Sequence, residues 1–214
     1  MSTIKLNGSS SGNAQITVAA AAGTPTITLP TASINLATAG SDGQFLKTNG
    51  SGTLSFANAK IIDVKQTVKT SASSFDIASH TSSSGQMSIT HTVAHSSNKV
   101  LLIAAVNVST NTETRVYIDL AVDNSATTFI GDAAGSATRV GVSGWITGNT
   151  AMENLVGVWL YTPGDTSSHA YTVKLGQGSG SSRWTHINRD DTSTNSADFE
   201  RACSTFTLLE VDGT

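Results

Sequence analysis

Charge is the scarcest commodity in this sequence. Only 13% of the 214 residues are Asp, Glu, Lys or Arg, and 12 basic against 15 acidic side chains leave a formal net charge of −3. The basic residues are spread thinly, so no phosphate-tracking surface is expected and nucleic acid is not an expected partner. Low charge also argues against a solvating disordered chain, which depends on high net charge and few β-branched residues. Cysteine occurs once, at Cys203, which excludes an intrachain disulfide and a cysteine zinc cluster. No apolar run reaches the roughly 18 residues of a membrane-crossing helix, so membrane insertion is not expected. The opening residues, Met1-Ser-Thr-Ile-Lys-Leu-Asn-Gly, lack a charged stretch followed by an apolar core, so no secretory signal is expected. Proline is limited to three residues and aromatics to 6%.

What the chain has in quantity is hydroxyl. Ser and Thr together number about 60, and Gly adds 19. Thr, Val and Ile suit pleated, half-buried surface, and the small polar residues supply turns. The composition predicts an all-β structural protein.

The texture changes near residue 58. From Met1 to Asn58 the only charged residues are Lys5, Asp42 and Lys47, and the only aromatics are Phe45 and Phe56. Short alternating stretches, Gln15–Val18, Thr26–Leu29, Gln44–Lys47 and Thr53–Phe56, lie between Asn-Gly, Ser-Gly and similar turns and predict short strands. This segment holds too few large apolar residues to repay backbone ordering at about 1–2 kcal/mol per residue. The missing burial is expected from identical neighbouring chains, through Ile16, Val18, Ile27, Leu29, Phe45, Leu54 and Phe56. Residues 1–58 are therefore expected to form a β stalk or docking arm.

Residues 59–214 read as a separate head. Longer strands are predicted over Lys60–Lys69, Gln86–His95, Val100–Thr110, Arg115–Val122, Thr127–Ile130, Arg139–Ile146, Leu155–Thr162, Ala170–Leu175, Arg183–Asn188 and Ser204–Val211. Val100-Leu-Leu-Ile-Ala-Ala-Val is apolar on both faces, as in a strand buried inside a sandwich. Many short strands, regular turns and no periodic helix predict a jelly-roll β-sandwich.

Motifs for chemistry are weak. Gly8-Ser-Ser-Ser-Gly12 matches G-x-S-x-G, but strands flank it on both sides, where a nucleophile needs a strand leading into a helix. It reads as a turn. His91 and His95 on a strand would share a face about 13 Å apart, too far for one metal. His80, His169 and His186 are scattered, leaving open only a site on a threefold axis with one histidine per chain. Asp190, Asp191, Asp198 and Glu200 suggest a calcium loop or a glycosidase pair, yet the glycine-bearing calcium pattern is missing. Arg183, Arg189 and Arg201 lie close enough in sequence to pair with these acids, so an ion-paired loop is expected. No catalytic, metal or cofactor-binding set is predicted, and the chain is not expected to be an enzyme. Trp159 reads as core. Trp145, Trp184 and Tyr161 are candidate receptor contacts, since an exposed ring beside polar loops stacks on sugar C–H groups.

Two stretches resemble known proteins. Ile4-Lys-Leu-Asn-Gly-Ser-Ser-Ser-Gly, Thr26-Ile-Thr-Leu-Pro30 and Gly43-Gln-Phe-Leu-Lys-Thr-Asn-Gly-Ser-Gly-Thr-Leu-Ser-Phe56 together resemble a module of marine bacteriophage tail-fibre and other virion proteins. Trp184-Thr-His-Ile-Asn-Arg and Arg201-Ala-Cys-Ser-Thr-Phe-Thr-Leu-Leu-Glu-Val resemble the closing strands of trimeric phage fibre heads akin to the C1q and tumour-necrosis-factor jelly rolls. The resemblance implies a homotrimeric virion appendage on the particle exterior, docked to tail or capsid proteins through residues 1–58. Low charge and abundant hydroxyls suit a head that makes weak, multivalent contacts with a host cell-surface glycan. A capsid decoration protein, bound through the same arm, is the alternative. A free-standing lectin fits less well, because it has no need of the arm.

Overall fold

The computed structural model describes residues 3–7, 13–17, 44–48, 54–57, 59–78, 82–148, 151–178, 180–192 and 201–213. The chain divides into two compact units, Met1–Ala57 and Asn58–Thr214. Among the described residues every regular element is a strand.

The first unit contains two hairpins. β1 (Thr3–Asn7) pairs antiparallel with β2 (Asn13–Thr17), setting Ile4 opposite Ile16. β3 (Phe45–Thr48) pairs with β4 (Leu54–Ala57), setting Phe45 opposite Ala57 and Leu46 opposite Phe56. Phe45, Leu46 and Phe56 are exposed. Of the expected stalk contacts, Ile16 and Leu54 fall on strands, while Val18, Ile27 and Leu29 lie outside the described residues.

The second unit is an antiparallel sandwich. Its strands are β5 (Ile61–Lys69), β6 (Ser73–Ile77), β7 (Ser82–Thr92), β8 (Lys99–Thr110), β9 (Thr114–Val122), β10 (Ser125–Ala126), β11 (Val142–Ile146), β12 (Glu153–Tyr161), β13 (Ser168–Gln177), β14 (Arg183–Ile187) and β15 (Ser204–Val211). One sheet runs β5-β15-β8-β14-β6, with β12 on β8 as well; the other runs β10-β9-β13-β7, with β11 on β9. Sequence neighbours such as β12 and β13 lie in different sheets, so the chain crosses repeatedly between layers, as a jelly roll requires.

Alternation builds the core. Val100, Leu102, Ala104, Val106 and Val108 of β8, with Phe206 and Leu208 of β15 and Trp159 of β12, face Ile118 and Leu120 of β9 and Tyr171, Val173 and Leu175 of β13. All are buried, and each large side chain contributes about 1.5–3 kcal/mol of transfer free energy. At one end the Gln177 amide closes the layers by donating to the carbonyls of Ile77 (3.1 Å) and Ser181 (2.9 Å).

Three expected strands differ, one of them Arg139–Ile146, which begins only at Val142 because Val140 belongs to the loop that bonds back to Gly131. Thr127–Ile130 is loop: after the Asp123-Asn124 turn only Ser125 and Ala126 pair with β9, and Thr127 then bonds through both N and Oγ1 to the Leu120 carbonyl. The predicted Gln86–His95 strand ends at Thr92, because the Asn98 N–H turns back to the His95 carbonyl at 3.0 Å.

Candidate functional site

Two surfaces of the second unit stand out. The first is the outer face of the six-stranded sheet. Because β8 is apolar on both faces, its outward residues Leu101, Ile103 and Ala105 are left only half-buried. Register extends them sideways: Leu160, Leu101, Leu209 and Val64 form one row, and Val158, Ile103, Thr207 and Gln66 the next. Val156, Ala105, Thr205 and Val68 form a third. No charged side chain lies in these rows. Val158 is 59% exposed and Val64 57%, and Val156, Leu160 and Val68 are also at or above half exposure. The polar members pair with each other, the Gln66 amide donating to Thr207 Oγ1 at 2.8 Å.

The second is a cleft on the outer face of the other sheet. Residues 131–140 fold back over that face, held by the Gly141 N–H on Asp119 Oδ1 (2.6 Å) and by Arg139 Nε on the Gly131 carbonyl (2.7 Å). Beneath them the Tyr117 ring lies against Gly176, its cross-strand partner, where a methyl group would overlap the ring. The result is a cleft of about 450 Å³, with Tyr117 and Gly178 below, Ser136 and Thr138 on the loop side, and Arg115 and Ser143 on the strand side. Arg115 sits with its guanidinium 5.6 Å from the centre of the Trp145 ring, and Trp145 Nε1 donates to Glu113 Oε1 at 2.8 Å.

The structure separates the three candidate receptor contacts. Trp145 (50% exposed) and Trp184 (47%) lie at the same end of the sandwich, flanking the β8–β9 turn, where the Asn111 N–H donates to the Trp184 carbonyl at 3.1 Å. They sit on opposite outer faces, since Trp145 pairs with Arg115 in one sheet and Trp184 with Asp76 in the other. Tyr161 lies at the far end, opposite Val100, packed edge-on against Phe129 and Tyr171. Sequence reasoning missed Arg115, which only the pairing with Trp145 distinguishes from any other surface cation.

The histidines are dispersed. Buried His91 places Nε2 2.8 Å from Glu210 Oε2, and His95, beyond the strand end, places Nδ1 2.8 Å from Ser97 Oγ. His169 lies between Asp123 (2.6 Å) and Asp165 (3.1 Å). The hydrogen bond to Asp123 is the main force raising its pKa above 6.5, against a smaller opposing effect of burial. His186, between Ser74 Oγ and Asp191 Oδ1 at 2.8 Å each, is pulled the other way, because burial outweighs the Asp191 hydrogen bond. Among the described residues no cluster of His, Cys, Asp or Glu could hold a metal ion.

The expected ion-paired acidic loop is built differently. Arg189 donates to the backbone carbonyls of Asp190 and Asp191, each at 2.7 Å, while the Asp191 carboxylate is taken by His186. Tying down carbonyls satisfies the loop's own backbone, which a buried turn demands before its carboxylates. Asp198 and Glu200 lie outside the described residues, as does His80. No protein-family model matches the chain, and no curated protein matches it.

Proposed function

We propose that the chain is a structural subunit of a bacteriophage particle, a homotrimeric short tail fibre or spike that docks through residues 1–58 and presents residues 59–214 to a host-surface glycan. The observation that carries this reading is the block of three uncharged rows on the outer face of the six-stranded sheet. Soluble monomers rarely expose contiguous apolar surface on this scale, and such patches mark interaction sites. A face carried by every copy is closed most simply by other copies about a symmetry axis. The resemblance of residues 184–189 and 201–211 to trimeric fibre heads favours three copies. Three weak glycan sites on one trimer, and several trimers on one particle, gain avidity through effective concentration. The protein works by binding and carries out no catalysis.

Native mass spectrometry of the full chain tests the assembly. A species of three times 22.0 kDa is expected, and a monomer at micromolar concentration would overturn the reading. Quantitative mass spectrometry of purified particles then places the trimer. A few copies per particle mean a fibre. A ratio near parity with the major capsid protein would move it to the capsid surface as a decoration protein.

A further inference from the structure

Resting on the reading that the head binds glycan, we propose that the cleft between residues 131–140 and the outer face of the five-stranded sheet is a subsite for an acidic sugar, a pyranose bearing one carboxylate, with Arg115 as the residue that holds the carboxylate. Four features lead there. The cleft, at about 450 Å³, falls within the size range of small-ligand sites. Its lining carries the hydroxyls of Ser136, Thr138 and Ser143 and no carboxylate. Arg115 is the one cation in that lining, and no carboxylate among the described residues forms an ion pair with it. Finally, the guanidinium is not loose. Glu113 accepts from the Trp145 indole at 2.8 Å, and the indole in turn lies 5.6 Å from the guanidinium, so a chain of two contacts orders the cation before any ligand arrives. Ordering in advance lowers the entropy lost on binding.

The charge count selects the ligand class. Arg139, the nearby loop cation, is turned away onto the Gly131 carbonyl, so the cleft offers a single positive charge. A carboxylate matches one guanidinium in charge and in its planar, two-pronged geometry. A phosphate monoester, at about −1.5 to −2, would leave excess negative charge beside Glu113. The remaining sugar hydroxyls meet the Ser and Thr hydroxyls, and the edge of Tyr117 supplies apolar surface below. Trp145 is a positioning residue here, acting through Arg115.

The full-length protein is to be titrated with oligosaccharides of galacturonate, mannuronate and glucuronate, each beside its carboxyl-reduced neutral counterpart, with binding followed by saturation-transfer NMR. At least one uronate is expected to bind about tenfold or more tightly than its reduced form, the scale of one charge-assisted hydrogen-bonded pair. Arg115→Gln removes that preference while leaving weak neutral binding in place, and Ser143→Trp, which plugs the cleft, removes both. Unchanged thermal unfolding shows that each variant is folded. Equal binding of acid and reduced sugars, insensitive to Arg115→Gln, would overturn the acidic subsite and leave a glycan-binding head intact. Absence of binding by every saccharide tried, acidic and neutral, would remove the subsite together with the receptor-binding reading beneath it.

Discussion

Glu210 is buried at the end of β15 with its carboxylate fully engaged. Oε2 lies 2.8 Å from His91 Nε2, and Oε1 accepts from the Ala94 N–H at 2.7 Å and from the Asn98 amide at 2.6 Å. One side chain from the six-stranded sheet thus anchors β7 of the other sheet and the turn that leads into β8. An acid on the inward face of a strand is otherwise costly, and its stability depends on all its partners. Glu210→Leu strands two buried groups, His91 Nε2 and the Asn98 amide, each worth about 1–3 kcal/mol when left unsatisfied, and frees the half-buried Ala94 N–H to water. We expect a loss of several kcal/mol in urea unfolding, with Glu210→Gln losing less because it keeps one acceptor. A neutral Glu210→Leu variant would show that water replaces the carboxylate.

The apolar face makes a prediction of a different kind, because a change there should weaken assembly rather than folding. Val158 lies in the central row opposite Ile103 and is mostly exposed within one chain. A lysine at this position is nearly free for the isolated head, where surface substitutions cost about 0.5 kcal/mol or less. In a closed trimer it buries three like charges about one axis, at several kcal/mol in all. Val158→Lys should therefore run as a monomer in size-exclusion chromatography with light scattering while retaining native circular dichroism. A trimer that survives Val158→Lys would locate the subunit interface elsewhere.

Tyr117 and Gly176 test how the cleft floor is made. Glycine at 176 lets the Tyr117 ring lie directly on the neighbouring strand, and a Cβ would collide with three ring atoms. Gly176→Ala forces the ring upward, at about 1–3 kcal/mol of overpacking. Gly180→Ala meets nothing within 4 Å and serves as the control. Thermal unfolding should separate the two substitutions by several degrees, and equal midpoints would show that the ring has room to move.

The sequence carried much of this architecture in its alternation. The strands β5, β8, β9 and β15 could be read to within a residue because runs rich in Val, Ile, Leu and Thr ended in clear turn formers, though residues 100–106 of β8 show no alternation at all. β6 went unread since Ser73-Ser-Phe-Asp-Ile offers just two apolar residues after a serine-rich turn. Thr127–Ile130 misled for the opposite reason: β-branched residues fit a strand, but the Asp123-Asn124 turn, at φ 50° and 64°, had already spent the pairing edge on Ser125 and Ala126. The double-apolar pattern of β8 suggested burial on both sides, whereas on one side Leu101, Ile103 and Ala105 are only half-buried. Trp145 and Trp184 were legible as exposed rings. Arg115 was not, because its role depends on facing Trp145 across β9 and β11, and register between strands some 30 residues apart leaves no local trace.

The histidine between two acids gives the protein a pH signature. Asp123 is held below its ordinary 3.8 first by the Ala170 N–H and then by His169; Asp165 is held down first by the Ser167 N–H and then by His169. His169 itself is raised above 6.5, chiefly through its bond to Asp123. The raised histidine contributes stability that is complete below 6.5 and is lost as pH climbs through its folded pKa. The lowered carboxylates contribute stability that is complete above 3.8 and is lost as pH falls through theirs. All three contributions are complete together only between 3.8 and 6.5. His186 acts in the opposite sense, since the unfolded chain takes up its proton first as pH drops below 6.5, which costs stability. The wild-type curve therefore mixes two histidines, and the useful quantity is the difference in Tm between wild type and His169→Asn. That difference should peak at roughly pH 5, shrink as pH climbs past 6.5 through the raised pKa of His169, and shrink again in strong acid. A difference independent of pH from 4 to 9 would mean that His169 acts by packing against Tyr171, 6.3 Å away between ring centres, and not by its charge.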